Sequence, residues 1–131
     1  ILHFTKRFQE EESAEITQEQ RLAARASYTQ MAKEALEQQD YRLAIHYLFL
    51  ACVTMVIKDE LFEGANTMTN RELANHSDFS KFANSQQLNQ LFMTMVQFDE
   101  VRWFGKLNVP AQDYQEFNQM FKQFNTGVGH A

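Results

Sequence analysis

The chain has 131 residues, of which 44% are hydrophobic and 13% aromatic, a composition that excludes a largely disordered chain and suits one domain with its own core. Four glycines and one proline are too few for the many tight turns of an all-β domain, so the composition favours helices. The formal net charge of −5, with twelve Lys and Arg scattered among seventeen Asp and Glu, argues against nucleic acid or an anionic membrane surface as the partner.

The single cysteine and the most apolar stretch indicate the setting of the domain. Cys52 has no second cysteine to pair with, which is typical of a reducing compartment. The stretch 43–57 is shorter than the roughly 20 apolar residues of a membrane-spanning helix. It therefore predicts a buried core helix, and no direct membrane insertion by this chain. Because the sequence begins at Ile1 instead of Met, we expect it to be a fragment of a longer protein.

The N-terminal part predicts a lead-in followed by a helix. Residues 1–16 combine scattered apolar residues with an acidic run, which is typical of a solvated lead-in segment, and the alternative is the end of an upstream membrane anchor. Thr17 and Gln20 have the spacing of a capping box, in which each side chain bonds the other's free backbone N–H. An apolar stripe with several alanines extends this first helix to about Gln38.

A second helix should begin directly after a short turn. Asp40 is a good N-cap, and the following helix is predicted from Tyr41 to about Glu60. It is apolar on nearly all sides, so it should be the central element. The two-residue connection implies an antiparallel hairpin, similar to one tetratricopeptide unit, although no second copy follows.

The next two helices carry their own boundary signals. Thr69 and Glu72 repeat the capping-box spacing and predict a short helix. The fourth helix is predicted over residues 85–104, with Gly105 as its C-cap. Its apolar residues recur at intervals of three and four: Leu88, Leu91, Phe92, Met95, Phe98 and Val101.

The last helix completes an all-α domain. Pro110 is tolerated as a first helical residue, and the helix should run to about Phe124. Residues 126–131 contain two glycines and predict a frayed tail. The sequence thus predicts a single compact bundle of about five helices over residues 17–125.

The sequence offers little for chemistry. The four histidines are dispersed, so neither a structural zinc site nor another metal site is expected, and no motif for a cofactor is present. His46 is predicted to be a histidine at the edge of the core, satisfied by one neighbour, and the alternative is a buried acid–base group or a switch. Cys52 is predicted to be an inert core residue. The acidic pairs at Asp59 and Asp99 are expected to be charges on helix surfaces.

One segment is a candidate for binding a partner. Arg102, Trp103 and Phe104 lie together before the helix stop at Gly105. Trp and Arg are enriched where proteins bind each other. The alternative is that Trp103 closes the base of the core while Arg102 pairs with a nearby acid.

Several short motifs resemble a known family. They are Asp40-Tyr41 followed by Ala44-Ile45, then Thr69 with Glu72-Leu73, then Phe104-Gly105, then Asp113-Tyr114. In this order they resemble the bacterial domain of unknown function family 4129, over roughly residues 25–125. The family usually has Tyr where this chain has Phe104, so any role of the tyrosine hydroxyl in the family is not expected in this chain.

The resemblance implies a place in a larger protein. Family 4129 is a helical C-terminal domain of membrane proteins, some of which carry a transglutaminase-like domain, and it has no assigned catalytic residues. The resemblance implies that this chain follows a transmembrane helix in its parent protein and lies on the cytoplasmic side of the inner membrane.

A non-catalytic interaction or scaffolding domain is therefore expected, which binds a protein partner or the rest of its parent. The alternatives are a small enzyme that uses His46 with the acidic residues Asp59, Glu60 and Asp99, and a structural domain that self-associates.

Overall fold

A computed structural model describes residues 15–105 and 108–129. Within these ranges the chain forms five α-helices, joined by turns that include two short 3-10 helices, and no β-strand. The α-helices are α1 (Gln18–Glu37), α2 (Tyr41–Val56), α3 (Asn70–Asn75), α4 (Ser85–Phe104) and α5 (Ala111–Gly127). The predicted all-α bundle is confirmed. Apart from Glu15 and Ile16, the predicted lead-in lies outside the described residues.

Both capping boxes form as the sequence predicts. The Thr17 Oγ1 atom accepts from the Gln20 backbone N–H at 3.1 Å, and Gln20 Oε1 accepts from the Thr17 N–H at 2.9 Å. Thr69 and Glu72 repeat this arrangement at the start of α3. Each box satisfies backbone donors that a helix start leaves free, so it fixes where the helix begins.

The first two helices form the predicted antiparallel hairpin. Gln39 completes the turn with a positive φ of 59°, and the Asp40 carboxylate accepts from the Leu43 backbone N–H at 3.1 Å. The contact between α1 and α2 is more extensive than the contact between any other two elements.

Helix α2 is the centre of the bundle, since α1, α4 and α5 all pack against it. From Leu48 to Ile57 every residue is buried. The largest fully buried side chains around it are aromatic: Phe49, Phe92, Phe117 and Phe124. The prediction of a central apolar helix is therefore confirmed.

The predicted end of α2 at Glu60 is wrong by one turn. The helix stops at Val56, and Ile57 is extended and forms an isolated bridge with Ser77. Two backbone bonds hold this crossing, from the Lys58 N–H to the His76 carbonyl at 3.1 Å and from the Asp78 N–H to the Val56 carbonyl at 2.7 Å. Pairing with a segment some twenty residues away thus replaces the last helical turn.

The last helix begins and ends later than predicted. Pro110 is its N-cap, and α5 starts at Ala111. The helix continues beyond Phe124 to Gly127, and Val128 after it is buried. Gly127 lies against Leu88, whose Cδ1 atom would be 2.8 Å from a Cβ at this position. Thr126 and Gly127 therefore belong to the helix and Val128 to the core, whereas residues 130 and 131 of the predicted frayed tail lie outside the described residues.

Gly105 is the C-cap of α4, as predicted, but space is what requires glycine there. Its φ of −75° suits any residue, yet a Cβ would lie 2.3 Å from the Val101 carbonyl oxygen. We expect Gly105→Ala to lower the free energy of unfolding by about 1–3 kcal/mol, because the backbone at the end of α4 must shift.

Gly64→Ala is the matched control, since nothing lies within 4 Å of its Cβ position. The control should be neutral or stabilising by up to about 1 kcal/mol in urea unfolding. Equal effects of the two substitutions would contradict the steric argument.

Candidate functional site

Arg102 ties α4 to α5. Its Nε donates to the Asp113 carboxylate at 3.0 Å, and one terminal nitrogen donates to the Phe98 carbonyl at 3.1 Å. The guanidinium carbon lies 3.3 Å from the centre of the Phe98 ring. The side chain is 23% exposed, and these contacts fix its position. The pairing with a nearby acid, considered above as the alternative to partner binding, is thus present.

Trp103 fastens the end of α4 to α2. Its ring stacks on the His46 ring, with centroids 3.8 Å apart and an angle of 4° between the planes. The Arg42 guanidinium lies 4.3 Å from the centre of the same indole. Arg42 also donates to the carbonyls of Arg102 and Trp103, so it caps the C-terminus of α4, where a cation is favoured.

Phe104 is the one residue of the predicted partner segment that faces solvent. It is 64% exposed, and Val101 is 62% exposed. Among the described residues these two are the exposed large hydrophobic side chains. They are three residues apart on α4, so they lie on one face. We call Val101 and Phe104 the α4 tip patch.

The burial of two residues on α4 is the opposite of that predicted. Val101 continues the apolar repeat in the sequence but points to solvent, whereas Asp99, expected on the surface, is completely buried. The face of α4 that packs against the core includes Met95, Val96 and Asp99. A carboxylate thus occupies a core position, and such a group must be hydrogen-bonded there.

His46 and Asn70 supply the hydrogen bonds that Asp99 needs. His46 Nδ1 lies 3.1 Å from Oδ2 and 3.2 Å from Oδ1 of Asp99. The Asn70 amide, which is also buried, donates to Asp99 Oδ2 at 3.0 Å and to the Val96 carbonyl at 3.1 Å. Residues of three helices thereby meet in one polar cluster within the apolar core. His46 has one hydrogen-bonded neighbour, as predicted, through Nδ1, but the sequence alone does not identify Asp99 as that neighbour.

His46 and Trp103 also line an open cavity of about 420 Å³ between α1 and α2. We call it the His46 groove. It is lined by Ser27, Tyr28, Met31, Leu43, His46, Tyr47, Leu50, Asn66 and Trp103. The rings of Tyr28 and Tyr47 stack with centroids 6.3 Å apart. Burial, together with the neighbouring Tyr47, raises the pKa of Tyr28.

The other acidic candidates lie elsewhere. Asp59 accepts from the buried Arg21 at 2.5 Å, and Arg21 also donates to the Thr54 carbonyl at 2.8 Å. Asp59 and Glu60 line a separate cavity of about 550 Å³ together with Lys81, whose pKa is lowered mainly by burial. The structure therefore brings His46 to Asp99 and keeps Asp59 and Glu60 apart from them.

Cys52 is a core residue, as predicted. It is 1% exposed, and burial raises the pKa of its thiol well above the ordinary value of 9.0. A neutral, enclosed thiol is a poor nucleophile.

In residues 15–105 and 108–129, no three His, Cys, Asp or Glu side chains are grouped so that they could hold a metal ion. None of the helices in the same ranges combines the length and the apolar character that crossing a bilayer requires.

Comparison with family models, with curated proteins and with solved structures finds no significant match to this chain. The resemblance to family 4129 therefore stays a prediction.

Proposed function

We propose that this chain is a non-catalytic protein-interaction domain on the cytoplasmic side of a bacterial membrane protein, and that the α4 tip patch contacts the partner. The membrane-bound parent and its orientation rest on the resemblance to family 4129. The contact surface rests on the exposure of Val101 and Phe104.

The exposed pair is the observation that carries this proposal. In residues 15–105 and 108–129 the other large hydrophobic side chains are at least partly covered, whereas Val101 and Phe104 are exposed together at one helix end. Aromatic side chains on a surface are enriched at protein interfaces. Arg102 and Trp103 support the patch from beneath, because their contacts with Asp113 and His46 hold the helix end in place.

Photo-crosslinking tests the patch in the organism that makes the parent protein. Benzoylphenylalanine replaces Phe104 in the full-length protein, and the matched control replaces Lys122, which is exposed on α5. We expect position 104 to give a discrete adduct with another protein, and Lys122 to give none. Phe104→Ser should weaken co-purification of that protein by about tenfold or more, as expected for loss of an interface residue worth over 1.4 kcal/mol.

The outcomes separate the alternatives. An adduct between two copies of the parent would favour a self-associating structural domain instead. No adduct from position 104, or the same adducts from both positions, would contradict the proposed contact surface.

A further inference from the structure

Two smaller hollows adjoin the His46 groove and share lining residues with it. One hollow shares Met31, Leu43 and Tyr47 with the groove, and the other shares Tyr28, Leu50 and Asn66. Aliphatic and aromatic side chains form most of these walls. A cavity of several hundred Å³ with an apolar lining and a few polar groups is typical of a small-molecule site.

His46 presents a defined atom to this groove. Asp99 is a carboxylate that only accepts hydrogen bonds, so the His46 Nδ1 atom facing it carries the proton. The other ring nitrogen, Nε2, has no hydrogen-bond partner among the described residues, and in the neutral form of the ring it carries the lone pair. The stacked Trp103 fixes the plane of the ring, and the imidazole side chain is 14% exposed. A ligand group that donates a hydrogen bond fits this atom.

The charges around the groove favour a cation. Glu34, Asp40 and Glu63 line the two neighbouring hollows, whereas no Lys or Arg of the described chain lines the groove or either hollow. The Arg42 guanidinium lies over Trp103, which lines the groove, and donates to two carbonyls of α4. Tyr28 and Tyr47 add ring faces that attract cations.

We propose that the His46 groove binds a small primary amine with an apolar or aromatic body. The ammonium group donates a hydrogen bond to His46 Nε2 and is attracted by the three carboxylates. The body of the amine packs against Leu50, Met31 and the tyrosine rings. This site is independent of the α4 tip patch, so either can fail without the other.

A matched series of three probes tests the charge and the donor together: 2-phenylethylammonium, 2-phenylethanol and 3-phenylpropionate. Trp103 is the single tryptophan of the chain and lines the groove, so its fluorescence reports occupancy. We expect saturable binding of the ammonium, and binding of the alcohol weaker by about tenfold or more, since a charge-assisted hydrogen bond is roughly twice as strong as a neutral one. Equal binding of the alcohol, tighter binding of the carboxylate, or no binding of the ammonium would overturn the proposal.

Asp99→Asn tests the role of His46 while keeping the shape of the side chain. The new amide can still accept from Asn70 through its oxygen, and its NH₂ group then faces His46 Nδ1, which moves the imidazole proton to Nε2. Two donors would then meet, so ammonium affinity should fall by about tenfold or more. The ¹⁵N chemical shift of Nε2 reports the proton independently of binding, and circular dichroism shows whether the variant is folded.

Glu34→Gln with Glu63→Gln tests the carboxylates without touching the core, since both residues are exposed. This double variant should weaken the ammonium several-fold and leave the alcohol unchanged. Glu116→Gln, exposed on α5 and outside the groove, is the control. If the double variant and the control bind the ammonium equally, or if Asp99→Asn moves the proton without lowering affinity, the proposal is wrong.

Discussion

Phe92→Ala should lower the free energy of unfolding by about 3–5 kcal/mol, the range for removing a fully buried aromatic ring. Phe92 is completely buried at the centre of the aromatic core. Its ring centre lies 5.5 Å from that of Phe79, 5.8 Å from Phe49 and 6.0 Å from Phe124. These rings come from several elements. Filling the cavity left by the lost ring would therefore require several elements to move together, so most of the cavity should remain.

Phe104→Ala is the matched control, because it removes the same group from the C-terminal end of the same helix. Phe104 is 64% exposed, and the change should alter stability by less than about 0.5 kcal/mol. Urea unfolding followed by circular dichroism measures both variants. A loss below about 1.5 kcal/mol for Phe92→Ala would contradict its place in the core. A comparable loss for Phe104→Ala would mean that the α4 tip patch is covered in the folded domain.

Local signals in the sequence were enough to predict where α1, α2 and α3 begin. Thr17, Asp40 and Thr69 each bond a backbone N–H three residues later, and such a bond depends only on nearby residues. The end of α2 depends on a distant segment instead. Ile57 leaves the helix and pairs with Ser77, and the sequence of residues 57–60 contains no local signal that predicts this pairing.

The faces of α4 show a second limit of pattern reading. An apolar residue at helical spacing was predicted to be buried, and a charged one to be exposed, yet Val101 and Asp99 are reversed. Asp99 is tolerated inside because His46 lies fifty-three positions earlier in the chain and Asn70 twenty-nine positions earlier, and both reach it in space. Candidate residues could therefore be named from the sequence, whereas their meeting depends on how α2, α3 and α4 pack.

The polar cluster around Asp99 gives the second large effect that we expect. Asp99→Ala should lower the free energy of unfolding by about 2–4 kcal/mol, because a buried donor that loses its acceptor costs about 1–3 kcal/mol and a small cavity adds to this. The Asn70 amide loses one of its two acceptors, and His46 Nδ1 loses its own. Asp99→Asn should cost less, since it keeps the volume and one acceptor.

Glu100→Ala is the control for this cluster, because it removes a carboxylate one residue further along the same helix, where the side chain is exposed. Its effect should stay within about 0.5 kcal/mol of zero, as for most surface positions. A buried carboxylate can cost as much in lost hydration as its partners return, so the sign of the Asp99→Ala effect is informative in itself. If Asp99→Ala were as stable as Glu100→Ala, the hydrogen bonds from His46 and Asn70 would only offset the cost of burying Asp99. The ring of His46 would then owe its position to Trp103 and the surrounding helices, and the carboxylate would matter for which ring nitrogen holds the proton.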